Sequence, residues 1–187
     1  MAKRTRMAAA VMAVAAILGT AQSSAAAELG APAVGLPAEK AHLRSSSPVI
    51  NAAIQSAIER SATFRGMVAE INASDSWVFV NEGRCGHGVY ACFASVRSVG
   101  SYRFLFVVVD SRKKSDRDLI ASIGHELRHT IEVIGEPSIR TDTDRYFFYE
   151  QIGMHLVGGE RETLAARDAG DAVRSEVTRF NRQAKSE

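Results

Sequence analysis

The chain has 187 residues, of which 46% are apolar and 24% charged, and a formal net charge of +2 with two cysteines. This composition excludes an intrinsically disordered or fibrous protein, and two cysteines are too few for a miniprotein built on disulfides. The length suits one globular domain with a short appendage.

The first 27 residues have the pattern of an export signal. Basic residues at positions 3–6 precede an apolar stretch from Met7 to Ala21, and alanines occupy the −3 and −1 positions if cleavage follows Ala27. The apolar stretch is shorter than the roughly 20 residues that cross a bilayer. We therefore expect a secreted or periplasmic protein with no stable membrane span after signal removal.

Removal of this signal reverses the sign of the net charge. Residues 1–27 carry three basic residues and no acidic residue, so the remaining chain has 20 basic and 21 acidic residues and a net charge of −1. A chain with this balance lacks the basic surface that nucleic-acid binding requires. We therefore expect no nucleic-acid partner.

The mature chain begins with a stretch that is poor in secondary-structure signals. Residues 28–46 are rich in Gly, Pro and Ser, which predicts a flexible lead-in before a single domain at 47–187. Ser47 and Pro48 then form the start signal of a helix, and a second helix is predicted from Thr63 to Ile71.

The middle of the chain has the composition of a small antiparallel sheet. Strands are predicted at 77–80, 89–96 and 102–109, which are rich in β-branched and aromatic residues. The continuous apolar run at 104–109 predicts a central strand that is covered on both faces.

The two cysteines lie seven positions apart beside the second predicted strand. In an oxidising compartment Cys85 and Cys92 are expected to form one local disulfide. The alternative is a metal site with Cys85, His87 and Cys92 as ligands.

Three further helices are predicted in the last part of the chain. They cover 116–135, 142–152 and about 160–180, and the first of them begins with acidic residues and ends at Gly135. Helices, a small sheet and then helices again indicate the α+β class.

The first of these helices contains the motif His125-Glu126-Leu127-Arg128-His129, which has the pattern H-E-x-x-H. Residues four apart lie on the same face of a helix, so His125 and His129 can bind one metal ion. Glu126 is turned by about 100° around the axis, where it can reach a metal-bound water without being a ligand.

The motif resembles that of the zincin metallopeptidases. The resemblance implies a zincin-like α+β fold with a small antiparallel sheet packed on the motif helix, and one Zn²⁺ bound by His125 and His129. It also implies zinc-dependent peptide-bond hydrolysis outside the cytoplasm, with Glu126 as the general base and a peptide or protein as the substrate.

The third zinc ligand has to come from outside the motif. No third histidine follows at the spacing of the metzincins, so the resemblance implies a glutamate, as in the gluzincin branch. Glu162 is the first candidate, because the segment from Glu162 to Gly170 is similar to a gluzincin motif and its small residues would allow close helix packing. Glu150 is the alternative, and Glu132 is expected to be a hydrogen-bond or ion-pair partner.

The sequence offers three candidates for a further role in the site. His155, Tyr146 and Tyr149 are candidates for stabilising the oxyanion of the reaction. Arg128 occupies a position where zincins usually have an uncharged residue. Ala166 occupies a position where some gluzincins have an Asp. These departures favour the alternative of a non-catalytic exported zinc-binding protein or a degenerate peptidase-like binding protein. A zinc hydrolase with non-peptide substrates is a further alternative.

Overall fold

The computed structural model of the protein describes residues 41–86, 88–112, 114–155 and 161–186. These residues all fall in one compact unit, which spans Leu36–Glu187. The predicted export signal at 1–27 and most of the predicted lead-in lie outside the described residues. In the described part of the chain, no helix is long and apolar enough to cross a membrane.

The described residues form five helices and six strands, so the class is α+β as predicted. The helices are α1 (Pro48–Arg60), α2 (Ala62–Asn72), α3 (Asp116–Ile134), α4 (Asp142–Ile152) and α5 (Leu164–Gln183). The strands are β1 (Leu43–Arg44), β2 (Ser76–Glu82), β3 (Ala91–Val99), β4 (Tyr102–Val109), β5 (Met154–His155) and β6 (Arg161–Glu162).

Four of the strands form a mixed sheet in the order β1-β2-β4-β3. Strand β2 runs parallel to β1 and to β4, and β3 runs antiparallel to β4. The prediction of an antiparallel sheet is therefore wrong. The residue pattern of a strand predicts that the strand exists but carries little information about which strands pair with it. Here β4 lies between β2 and β3 in the sheet.

The start of each helix is determined by a hydroxyl side chain. In all five helices of the described chain, a Ser or Thr precedes the first turn and its hydroxyl accepts a hydrogen bond from a backbone N–H of that turn. Thr163 is the cap of α5, which therefore begins at Leu164 and not near residue 160 as predicted. Residues 161–162 instead pair with β5.

The two faces of β4 differ in burial. Leu105, Val107 and Val109 are fully buried, whereas Phe104 and Phe106 on the opposite face are only half-buried. The prediction of a central strand is confirmed by the sheet order, but full coverage of both faces is wrong. The partly open face is lined instead by stacked aromatic rings, with the Phe79 and Phe106 centroids 5.4 Å apart.

A buried arginine in β4 binds the end of α3. The guanidinium of Arg103 donates to the backbone oxygens of Val133 at 2.8 Å and Ile134 at 2.9 Å, and it lies 2.9 Å from a carboxylate oxygen of Asp75. The last carbonyls of a helix have no partners within the helix. Arg103 provides those partners and so attaches the C-terminal end of α3 to the sheet.

A disulfide joins Cys85 to Cys92, with an S–S distance of 2.06 Å. It closes the loop between β2 and β3, and the sulfur atoms are therefore not available as the metal ligands of the alternative prediction. His87, the third residue of that alternative, lies outside the described residues.

Candidate metal centre

Two elements bring three potential metal ligands together. His125 and His129 lie one turn apart on α3, and Glu162 is the last residue of β6. One carboxylate oxygen of Glu162 lies 3.3 Å from Nε2 of His125, and the other lies 3.4 Å from Nε2 of His129. All three residues offer a donor atom within 4.8 Å of the other two.

This donor set could hold a metal ion. Tetrahedral Zn²⁺ with bonds of roughly 2.0–2.1 Å separates neighbouring donor atoms by about 3.4 Å. The two distances from Glu162 to the histidines are close to this separation but join different carboxylate oxygens, and the three donor atoms lie within 4.8 Å of one another. Two His and one Glu are also the protein ligands of one class of catalytic zinc site, in which a fourth position stays open.

The orientation of His129 is determined by Glu132. One carboxylate oxygen of Glu132 lies 3.0 Å from Nδ1 of His129, and the other accepts a hydrogen bond from the hydroxyl of Thr163 at 2.6 Å. The hydroxyl of Tyr149 donates to the backbone oxygen of His129 at 2.9 Å and lies 3.1 Å from Glu132. These contacts direct Nε2 of His129 towards Glu162, in the carboxylate–histidine arrangement typical of metal sites.

The charges of the site favour a cation between the carboxylates. Burial by itself lowers the pKa of His129, but its hydrogen bonds with Glu132 and Glu162 outweigh burial and raise the pKa to about 9. Burial raises the pKa of Glu162, but hydrogen bonds with both histidines bring it well below its usual range. The site therefore stabilises a positive charge, which can be carried by a proton or by a metal ion.

Glu126 lies next to the three potential ligands without being one of them. Its Oε1 is 4.0 Å from Nε2 of His125, and the residue is only 6% exposed. Burial raises the pKa of Glu126, while the nearby histidines and a backbone hydrogen bond from Phe93 act in the opposite direction. A carboxylate whose pKa is raised is a better proton acceptor than a carboxylate with the ordinary pKa.

Helices α3 and α5 approach each other through glycines. A Cβ atom at Gly170 would lie 3.1 Å from Cβ of His125, and one at Gly124 would lie 3.0 Å from Cγ2 of Val173. Both distances are shorter than ordinary van der Waals contact. The absence of side chains at these positions allows the start of α5, and with it Glu162, to lie against the motif helix.

Two cavities meet at Glu126. The smaller, of about 340 Å³, is lined by both histidines and Glu162, and the larger, of about 580 Å³, is also lined by His125 and Glu126. Val89 and Ala91 line both cavities. The chain that enters the edge strand β3 therefore runs along both, and an extended ligand can cross the site beside it.

The alternative ligand Glu150 and the oxyanion candidates Tyr149 and Tyr146 are not among the three potential metal ligands. Glu150 forms an ion pair with Arg161 and is not in the group of His125, His129 and Glu162. Tyr149 is 7% exposed and its hydroxyl is directed to His129 and Glu132. Tyr146 is exposed and lines the smaller cavity.

The remaining oxyanion candidate, His155, has its backbone in β5 opposite Arg161. Its side chain lies outside the described part of the molecule, so the candidacy of His155 stays a prediction.

Two residues that shape the site are not among those predicted from the sequence. Thr163 was not identified, although a Thr before an apolar helical pattern is a recognisable N-cap signal. Arg145 of α4 donates to the backbone oxygens of Phe93 at 2.9 Å and Ala94 at 3.2 Å, and so attaches α4 to β3. No local pattern indicates this contact, because Arg145 and Phe93 are 52 positions apart in the chain.

Comparison of the chain with protein-family models, with curated proteins and with solved structures finds no match.

Proposed function

We propose that the protein is a zinc-dependent peptidase with a zincin-like domain that acts outside the cytoplasm. The observation that supports this most strongly is the convergence of His125, His129 and Glu162 beside the buried Glu126. Glu162 follows the motif by 33 positions. Its proximity to the two histidines therefore results from the folding of the chain and not from the spacing of residues within one helix.

The residues of the proposed zinc site are either ligands of the ion or residues that orient those ligands. His125 and His129 would hold the ion through Nε2, and Glu162 would hold it through its carboxylate. Glu132 accepts from Nδ1 of His129 and keeps Nε2 available for the ion. When bound, a zinc ion polarises the scissile carbonyl and lowers the pKa of a water molecule from about 15.7 to about 7.

Glu126 would move the protons of the reaction. Its carboxylate accepts a proton from the attacking water and then donates it to the nitrogen of the leaving amine, as one group acting first as base and then as acid. Its burial favours this role, because burial raises its pKa from the ordinary value of 4.5.

The surroundings of Glu126 are suited to an extended peptide. Val89 and Ala91 lead into the edge strand β3 and border both cavities, so a substrate strand can pair with this edge. Phe93 and Tyr146 line the smaller cavity and offer apolar contact to a substrate side chain. An action outside the cytoplasm is supported by the export-signal pattern and by the Cys85–Cys92 disulfide.

Metal analysis and peptide hydrolysis test this proposal together. We expect one zinc per mature chain and chelator-sensitive cleavage of a peptide library. Glu126→Gln should retain zinc while cleavage falls by about 10²–10⁴-fold, the usual contribution of a general base. Glu162→Ala should lose zinc, whereas the matched control Glu150→Ala should keep both zinc and activity.

The outcomes separate the alternatives. Retention of zinc by Glu162→Ala would show that the third ligand is another residue. Zinc bound by the wild-type chain without any chelator-sensitive cleavage would instead support the non-catalytic zinc-binding protein.

A further inference from the structure

The larger cavity has a positively charged wall beside Glu126. Lys114, Arg167 and Arg174 all line it, together with His125 and Glu126 of the proposed active site. Lys114 precedes α3, and the two arginines lie seven residues apart on α5, which places them on one face of that helix.

Lys114 is held in the wall by two contacts. Its ammonium group donates to the hydroxyl of Ser122 at 2.5 Å and lies 4.8 Å from the centre of the Tyr90 ring. It forms no ion pair with any residue in the described part of the chain. Burial lowers the pKa of Lys114, with Arg174 acting in the same direction and Asp118, Glu126 and Asp110 acting in the opposite one.

The two arginines are only partly neutralised. Arg174 lies 3.4 Å from a carboxylate oxygen of Asp118, whereas Arg167 has no ion pair among the described residues. Asp171 lies between them on α5 and also lines the cavity, but it forms no ion pair with either within the described chain. Three cations and two acids, Glu126 and Asp171, therefore line the cavity, and Lys114 and Arg167 are the cations that form no ion pair among the described residues.

We propose that the larger cavity binds a carboxylate of the peptide substrate, from an acidic side chain or from the C-terminus. Arg167 and Lys114 would contact this carboxylate, and Arg174 would add to the positive potential. A guanidinium binds a carboxylate through two parallel hydrogen bonds, which makes Arg167 the main determinant of this preference. The inference rests on the proposed peptidase function and specifies its substrate class.

Matched peptides test the inference on the zinc-loaded mature protein. One peptide has an internal Glu and an amidated C-terminus, a second has Gln with a free C-terminus, and a third has Gln with an amidated C-terminus. We expect kcat/KM to be about tenfold higher for at least one carboxylate peptide than for the neutral third peptide, which corresponds to about 1.4 kcal/mol. The first two peptides distinguish the two sources of the carboxylate.

Substitutions at the wall provide the second arm. Arg167→Ala and Lys114→Gln should each reduce the preference for the carboxylate peptide, and Arg167→Glu should shift it towards a peptide with Lys at that position. The matched control is Arg179→Ala, which removes the same charge from an exposed position of α5 that borders a separate cavity. It should leave the preference unchanged.

The inference and the peptidase proposal can fail separately. Cleavage of carboxylate and neutral peptides with equal kcat/KM would overturn the inference and leave the peptidase intact. If no peptide is cleaved, the binding of the same peptides to the Glu126→Gln protein decides the inference. Tighter binding of a carboxylate peptide that Arg167→Ala abolishes supports it, and equal binding of all three peptides overturns it.

Discussion

Glu132 links three residues around the candidate metal centre. It is not one of the three potential ligands, yet it contacts His129, Thr163 and Tyr149. Burial raises the pKa of Glu132, but its hydrogen bonds with His129 and Thr163 outweigh this and lower it. Glu132 is therefore an ionised acceptor that orients the ring of His129.

We predict that Glu132→Gln weakens zinc binding by about 10–100-fold, the usual effect of removing the partner of a metal-binding histidine. Glutamine keeps the size of the side chain but lacks the charge that favours the required ring orientation. Competition with a chromophoric chelator measures the affinity. The control is Glu136→Gln, at an exposed position four residues further along the chain, which should bind zinc like the wild type. Equal affinity of all three proteins would contradict the assigned role of Glu132.

Between elements, the contact of α3 with α5 determines where Glu162 lies. In this contact Gly124 of α3 faces the fully buried Val173 of α5. Glycine destabilises a helix interior relative to alanine, so its presence in a close helix contact indicates a steric requirement. A side chain at Gly170 would press against His125.

Two glycine substitutions test this requirement. Gly66 in α2 has no atom within 4 Å of an added Cβ, so Gly66→Ala should stabilise the protein by about 0.5–1 kcal/mol. Gly170→Ala places its Cβ 3.1 Å from Cβ of His125, and the resulting overpacking should cost about 1–3 kcal/mol and weaken zinc binding. Urea unfolding of the zinc-free proteins measures the free energies. An equal gain for both variants would show that the helix contact tolerates a methyl group.

At the level of the whole molecule, ionised side chains connect segments that are distant in sequence. Asp75 pairs with the buried Arg103, which in turn binds the end of α3. Glu176 of α5 accepts hydrogen bonds from the hydroxyl and the backbone N–H of Thr63 at the start of α2. For both acids burial raises the pKa, but hydrogen bonds lower it overall, from Arg103 and Ser76 to Asp75 and from Ser61 and Thr63 to Glu176.

These shifts predict a loss of stability in acid. A carboxylate whose pKa is lowered by folding stabilises the folded state above its unfolded pKa, here 3.8 for Asp and 4.5 for Glu, and this contribution is lost as the pH falls through the folded value. The free energy of unfolding should therefore decrease below about pH 4.5. Urea unfolding between pH 7 and pH 3 measures it.

A double variant isolates the two acids from the other titrating groups. Asp75→Asn with Glu176→Gln should be less stable than the wild type at pH 7, and the difference should shrink towards pH 3. The exposed Asp168, as Asp168→Asn, is the control and should follow the wild-type curve. A difference that stays constant with pH would show that these carboxylates do not contribute through ionisation.

The sequence by itself determined the local features of this protein. The helix starts at Ser47 and Ser115, the helical location of His125-Glu126-Leu127-Arg128-His129 and the α+β class all follow from patterns within one or two turns of chain. Hydrogen bonds of a capping hydroxyl and the 3.6-residue period act over a few positions, so they are visible in the residue order.

Only the tertiary structure decided which distant segments meet. It places Glu162 rather than Glu150 at the two histidines, joins Thr163 to Glu132, and inserts β4 between β2 and β3. The spacing of the residues leaves these choices open, because Glu162 and Glu150 both follow the motif on later elements. The choice depends on the packing of the whole chain, in which glycines at the contact of α3 and α5 allow the start of α5 to reach the motif helix.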